Sequence, residues 1–168
     1  MTKTKAQQIM AATEARAADD VTAAIKDIAT EFEPYIIKQR RHFHKHPELS
    51  LAEERTTSDI ANQLDAMNIP YERPLKTGLV ATLRGTAPDA YREDGTPRRR
   101  ILLRADIDAL PVTEQTGEEF ASVNEGCMHA CGHDMHAAML LGAAVILVLR
   151  LCAAHFRWGL PHAADLPE

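Results

Sequence analysis

Gly126-Cys127-Met128-His129-Ala130-Cys131-Gly132-His133-Asp134-Met135-His136 gathers two thiols, three imidazoles and a carboxylate into eleven residues, directly ahead of an apolar run. Thiolate and imidazole are the ligands that borderline-soft divalent ions such as zinc prefer. Cys131 and His133 stand two positions apart, with a glycine that lets the backbone turn between them. A catalytic zinc takes about three protein ligands and a structural one about four, so this pair needs completion from elsewhere. His129 and His136 are the reserves within the stretch. Two other readings stay open: Cys131 as a small buried thiol at a helix start, or as a nucleophile activated by His133 or His136 at a helix N-terminus. Covalent haem attachment is excluded, because it needs Cys-x-x-Cys-His and three residues separate Cys127 from Cys131.

Working outward, the run from Ala137 to Ala154 is nearly all apolar but is interrupted by Arg150, which predicts a buried helix rather than a membrane span. Upstream, Leu79–Leu83 and Ile101–Ala105 are short apolar runs bounded by Gly78, Gly85 and a polar, proline-containing loop, the pattern of two strands in a mixed sheet. The second strand runs into Asp106-Ile107-Asp108. Period two puts both carboxylates on one side, at a strand end suited to a ligand crevice; the competing reading is that they cap a turn. Thr56 to Met67 reads as a helix with Ile60, Leu64 and Met67 on one side, capped by Thr57 or Ser58 and ended by Asn68-Ile69-Pro70.

Nearer the start, Val21, Ile25, Ile28, Phe32 and Ile36 mark one face of an amphipathic helix from Asp20, which Pro34 should kink or divide and Pro47 should stop. His42, His44 and His46 fall in its last turns. They offer a zinc-binding pair, but surface histidines complementing the helix dipole need no absent third ligand. The order helix, helix, strand, loop, strand, helix gives the α/β class.

With 168 residues, 45% of them hydrophobic, the chain is long enough for one domain with a sizeable core. A net charge of −5 argues against nucleic acid as a partner, and Arg98-Arg99-Arg100 reads as a solvated turn. Three cysteines make no disulfide framework, and the first twenty residues lack the apolar core of a secretory signal, so cytoplasmic residence is expected.

His129-Ala-Cys-Gly-His-Asp-Met-His136, followed by Ala137-Ala-Met-Leu-Leu-Gly-Ala-Ala144, resembles the signature of the M20 metallopeptidase and aminoacylase family, in its amidohydrolase branch. Two further segments resemble the same branch in the same order: Arg40-Arg-His-Phe-His-Lys-His-Pro-Glu-Leu-Ser50 with Glu53, and Leu103-Arg-Ala-Asp-Ile-Asp-Ala-Leu-Pro111. The resemblance implies the N-terminal part of an α/β catalytic domain, a mixed sheet flanked by helices. It implies hydrolysis of the amide in small-molecule N-acyl amino acids by metal-activated water. The implied cofactor is a divalent metal (zinc, manganese, cobalt or nickel), with two ions in a complete member. Cys131 and His133 are then metal ligands and Asp108 the catalytic residue that orients a ligand. Asp106 stands where related metallopeptidases carry histidine, and the segment from Arg40 shapes the cleft wall.

The resemblance covers residues 20–149, leaving a polar leader at 1–19 and an atypical, frame-shifted-looking tail at 150–168. Family members are homo-oligomeric and carry a lid or dimerisation domain. Their general-base glutamate sits in an acidic pair after the Cys-Gly-His segment, with further histidines later; here only Asp165 and Glu168 are acidic beyond Asp134. The expectation is a truncated chain that binds metal weakly and lacks turnover. The alternative is a non-catalytic metal-binding or interaction module, or a pseudogene product.

Overall fold

The computed structural model describes residues 5–85, 87 and 89–156, with side chains at 23, 25–85, 87 and 89–148. Its elements are α1 (Lys5–Lys45), α2 (Glu54–Ala66), β1 (Tyr71–Glu72), β2 (Val80–Ala81) and α3 (His133–Phe156). The chain divides within α1, between Glu33 and Pro34, into two units, and every expected site residue belongs to the second.

α1 begins at Lys5, well before the expected Asp20, and runs through Pro34 rather than dividing there. The alanine-rich leader has helical propensity but no apolar stripe, so periodicity gave no sign of it. Of the anticipated apolar face, Ile28 and Phe32 are buried whereas Ile25 is exposed. The last turn carries His42, His44 and Lys45, whose positive charge suits the C-terminal dipole. His46 N–H donates to the Phe43 carbonyl at 3.1 Å, and Pro47 then ends the helix.

In the second unit the core joins Phe43 of α1, Ile60 and Leu64 of α2, Ile69, and Ala137, Ala138 and Leu141 of α3. Small residues on α3 allow close approach: a methyl on Gly142 would lie 2.6 Å from both Cδ1 and Cγ1 of Ile36. α2 starts at Glu54, earlier than expected, and neither Thr57 nor Ser58 caps it. Thr57 Oγ1 instead accepts the Gly78 N–H at 2.8 Å, and Ser58 Oγ donates to the Glu54 carbonyl at 2.9 Å. The cap comes from a distance: Glu48 accepts from the amides of Arg55 (3.1 Å) and Thr56 (2.7 Å) and from the Thr56 hydroxyl (2.8 Å). A carboxylate on these orphan donors also complements the positive helix end.

α2 ends as anticipated. Asn68 adopts a left-handed φ of 54°, its amide donates to Asp65 at 3.0 Å, and the Ile69 amide donates to Leu64 at 2.9 Å. This is a Schellman closure, with Ile69 and Leu64 making the accompanying apolar contact in the core.

β1 and β2 pair antiparallel, Tyr71 opposite Ala81 and Glu72 opposite Val80. This small sheet beside three helices keeps the chain in the α/β class, but the expected pairing of Leu79–Leu83 with Ile101–Ala105 is corrected. Residues 101–105 join no strand among the described residues, and Ile101 and Leu102 are 89% and 88% exposed. An apolar run without alternation needs cover on both faces, and no described segment supplies it. A parallel bridge, Leu49 with Ala109, is the remaining trace of a mixed arrangement.

α3 carries the apolar run as expected, burying Ala137, Ala138, Leu141 and Val145 while leaving Met139 and Leu147 exposed. Its backbone continues to Phe156, and the rest of the expected tail, 157–168, lies outside the described residues, as do residues 1–4 of the expected leader. Among the described residues no helix is long and apolar enough to cross a membrane.

Candidate metal centre

The backbone brings the aspartate segment to the Cys-Gly-His turn through a short ladder. The Ala109 amide donates to the Glu48 carbonyl at 2.8 Å, and Leu110 and Met128 exchange two hydrogen bonds of 3.0 Å. Asn124 Nδ2 donates to the Pro47 carbonyl at 2.7 Å and the Val123 amide to Lys45 at 2.9 Å, tying the incoming loop to the end of α1. Gly132 then turns the chain into α3 at φ 84°, a conformation costly for any residue with a Cβ. Its amide donates to His129 at 3.2 Å, and its carbonyl accepts from Met135 and His136 to start the helix.

This geometry sets His133 against Asp108: Nδ1 lies 2.9 Å from Asp108 Oδ1 and 3.0 Å from its carbonyl oxygen. Cys131 is exposed, with Sγ 3.9 Å from the same carbonyl. With Nδ1 engaged, Nε2 of His133 is the nitrogen left for a ligand, the arrangement in which a carboxylate fixes the tautomer of a metal-bound imidazole. Asp106, His133 and His136 each offer a ligand atom, all within 4.8 Å of one another. Asp106 also accepts from Arg104 Nη2. The structure thus gathers two carboxylates, a second imidazole and a thiol around His133, a donor set suited to borderline divalent ions. Cys131 stands outside the close trio and beside Asp108 instead.

His129 does not join this group. It is 4% exposed, and among the described residues neither ring nitrogen has a hydrogen-bond partner. Burial pushes its pKa down, assisted by the positive charge of neighbouring histidines, against an opposing pull from Asp134.

A second polar cluster lies directly behind the turn, and it corrects the reading of His44 as a surface residue: His44 is 6% exposed. Its Nδ1 lies 2.9 Å from Asp134 Oδ2 and its Nε2 3.2 Å from Glu114 Oε1. Arg40 Nε donates to the same Asp134 oxygen at 3.2 Å. Facing a carboxylate at each nitrogen, the ring can donate to both only when it carries both protons. Burial pushes the Glu114 carboxyl up, but the Ser122 amide at 2.6 Å, the Thr116 hydroxyl and His44 outweigh it and hold the group below its ordinary value. His42, by contrast, is half-exposed and pairs with Asp59 at 2.8 Å. The buried Nδ1 of His46 has no partner among the described residues, and desolvation, then the charge of Arg55, lowers its pKa.

Asp134 and Glu114 carry no assigned role in the sequence reading, and Arg40 appears there only at the head of the segment expected to shape the cleft wall. The signal for two of them was there: Arg40 and His44 are four apart on one helix, and an acid in the first turn of α3 suits the dipole. Glu114 has no local signal, since its partner lies 70 positions away. In front of this cluster a groove of about 510 Å³ is lined by Arg40, Phe120, His129, Cys131 and Met135 among others. The guanidinium of Arg41 sits 5.0 Å from the centre of the Phe120 ring.

Residues 102–156 match peptidase family M20/M25/M40. The chain is 45% identical over 123 residues to the N-acyl-L-amino acid amidohydrolase of Geobacillus stearothermophilus, covering 73% of this chain and 31% of that protein. It is 45% identical over 121 residues to the N-acetylcysteine deacetylase of Bacillus subtilis, covering 69% and 29%. Thermostable carboxypeptidase 1 of Saccharolobus solfataricus is 42% identical over 131 residues, covering 77% and 31%. The crystal structure of a dinuclear metal-binding peptidase of the M20 family from Bacillus subtilis superposes with a TM-score of 0.62 at 41% identity, over 75% of this chain and 32% of that one. The chain therefore spans about a third of the length of the relatives it matches. Residues 102–156 thus carry the match to peptidase family M20/M25/M40, and over 75% of its length the chain is similar in backbone to a peptidase of the M20 family.

Proposed function

We propose that the chain is part of a metal-dependent amidohydrolase that cleaves N-acyl amino acids. The observation that carries this reading is the contact of His133 Nδ1 with Asp108 at 2.9 Å, with the Cys131 thiol beside the same aspartate. A bound divalent ion supplies carbonyl polarisation and a water of lowered pKa. Cys131 and His133 are its proposed ligands, with Asp106 and His136 in reach of His133. Asp108 accepts the Nδ1 proton of His133, which fixes the ring and leaves Nε2 as the nitrogen that would hold the ion. The amidohydrolase, deacetylase and carboxypeptidase relatives support one bond type, an amide whose amine-side product is an amino acid.

The 168 residues alone are proposed to bind the ion without turnover, because the acidic pair that holds the family's general base has no counterpart in residues 137–168. Losing such a group typically costs about 10²–10⁴ in rate. Cytoplasmic residence belongs to the same reading, since the free thiols Cys127 and Cys131 suit a reducing compartment.

Cobalt titration tests the ligand assignment, and a thiolate charge-transfer band that vanishes in Cys131→Ala is expected. A band unchanged by that substitution removes the thiol from the site. In parallel, N-acetyl and N-benzoyl amino acids with added manganese or zinc should show no turnover by this chain. Hydrolysis abolished by a chelator and by Cys131→Ala would show that its own residues supply a base.

A further inference from the structure

The Cys131–His133 turn has little apolar anchorage. Of residues 130–136 Asp134 alone is buried, at 1% exposure, while Cys131, Met135 and His136 are exposed and the core contacts of α3 start only at Ala137. The Asp134 carboxylate is therefore the buried side-chain anchor of the turn, alongside the more exposed contact of His133 with Asp108. Two groups hold the carboxylate, both at Oδ2: His44 Nδ1 at 2.9 Å and Arg40 Nε at 3.2 Å. The Arg40 side chain is 39% exposed and also lies over Phe120, whereas the His44 side chain is 7% exposed and held at its second nitrogen by Glu114. Glu114 is in turn pinned by the Ser122 amide and the Thr116 hydroxyl. His44 thus links α1, the 114–122 loop and the first turn of α3 through hydrogen bonds in a water-poor setting, where such networks are strongest. Metal ligation tolerates only about 0.2 Å of error in ligand distance, and Asp134 is bonded directly to His133 in the chain.

We propose that His44 is the positioning residue of the metal-binding turn: its Nδ1 arm to Asp134 sets the Cys131–His133 pair, and its Nε2 arm to Glu114 holds the loop. The inference rests on the proposed metal site, but its structural half stands on the metal-free chain.

The two arms can be removed separately. Asn places an amide nitrogen near the Nδ1 position and Gln places one near Nε2, so His44→Asn keeps the Asp134 arm, His44→Gln keeps the Glu114 arm, and His44→Ala keeps neither. Amide hydrogen exchange of residues 131–136 is followed in chelator-treated protein, and cobalt affinity in the loaded protein. In His44→Ala and His44→Gln, exchange across the turn should rise on the order of 10-fold and cobalt should bind about 10-fold more weakly. His44→Asn should stay within roughly 3-fold of the parent chain in both. A general loss of packing would instead disturb Asn and Gln alike. Exchange that is equal in all four proteins, or raised equally in the three variants, overturns the proposal. If the parent chain gives no Cys131-dependent cobalt band, the metal reading fails by itself and the exchange pattern alone decides the role of His44.

Discussion

Substituting Gly142 by alanine tests the packing that carries α3, and its sign should depend on one neighbour. The added methyl would lie 2.6 Å from Ile36 Cδ1 and Cγ1, about 1 Å inside the 3.5–4.0 Å optimum for carbon pairs. Rotating the end of Ile36 does not relieve both contacts, so χ1 or the helix itself must shift. Overpacking of this kind costs about 1–3 kcal/mol. The intrinsic helix preference of alanine over glycine returns about 0.8–1 kcal/mol. Gly142→Ala should therefore destabilise by about 1 kcal/mol. In an Ile36→Ala background the opposing atoms are gone and the same substitution should stabilise by about 1 kcal/mol. The swing of about 2 kcal/mol between backgrounds is a coupling term of ordinary size for residues in contact. Urea unfolding of the four proteins, followed by far-UV circular dichroism, gives the cycle. The same sign in both backgrounds would refute the close approach of α1 and α3 at this position.

Asn68→Gly should raise the urea midpoint by the equivalent of about 0.5–1 kcal/mol, because the residue sits at φ 54° at the closure of α2, where only glycine is unstrained. Glu48→Ala should cost about 1–2 kcal/mol in the same assay by stripping three donors of their acceptor, with Glu48→Gln intermediate. Stability of chelator-treated protein should fall on acidification in two stages. The first begins as pH drops below 6.5, because His46 and His129 have lowered pKa values when folded and the unfolded chain takes up the protons they refuse. The second lies below 4.5, where the depressed Glu114 carboxylate stays ionised longer than its unfolded counterpart and its contribution fades only as pH falls through the folded value. His46→Gln should flatten the first stage. A midpoint that is constant from pH 8 to pH 5 contradicts the assignment.

Much of the candidate site was legible because its chemistry is local. Cys131, Gly132 and His133 are consecutive, and Asp106 and Asp108 lie two positions apart in one short segment. Their residue types announce a donor set before any fold is known. The helices were legible where an apolar stripe marks them, as at Ile60 and Leu64 or Ala137 to Val145. What escaped notice depends on partners far along the chain. The cap of α2 is a carboxylate seven or eight positions away, and His44 became a core residue only because Asp134, 90 positions on, came to meet it. The strand expected at 101–105 fails for the same reason in reverse, since an apolar run records a need for neighbours without saying whether the chain provides them.

X-ray absorption of the zinc-loaded protein tests the central assignment most directly, because two donor sets compete around His133. If Cys131 and His133 hold the ion, the first shell contains sulfur at about 2.3 Å together with nitrogen or oxygen at about 2.0–2.1 Å, and the sulfur disappears in Cys131→Ala. If the close trio of Asp106, His133 and His136 holds it instead, the shell contains only nitrogen and oxygen and is unchanged by that substitution. The sulfur shell is the predicted result, and its absence would contradict the account.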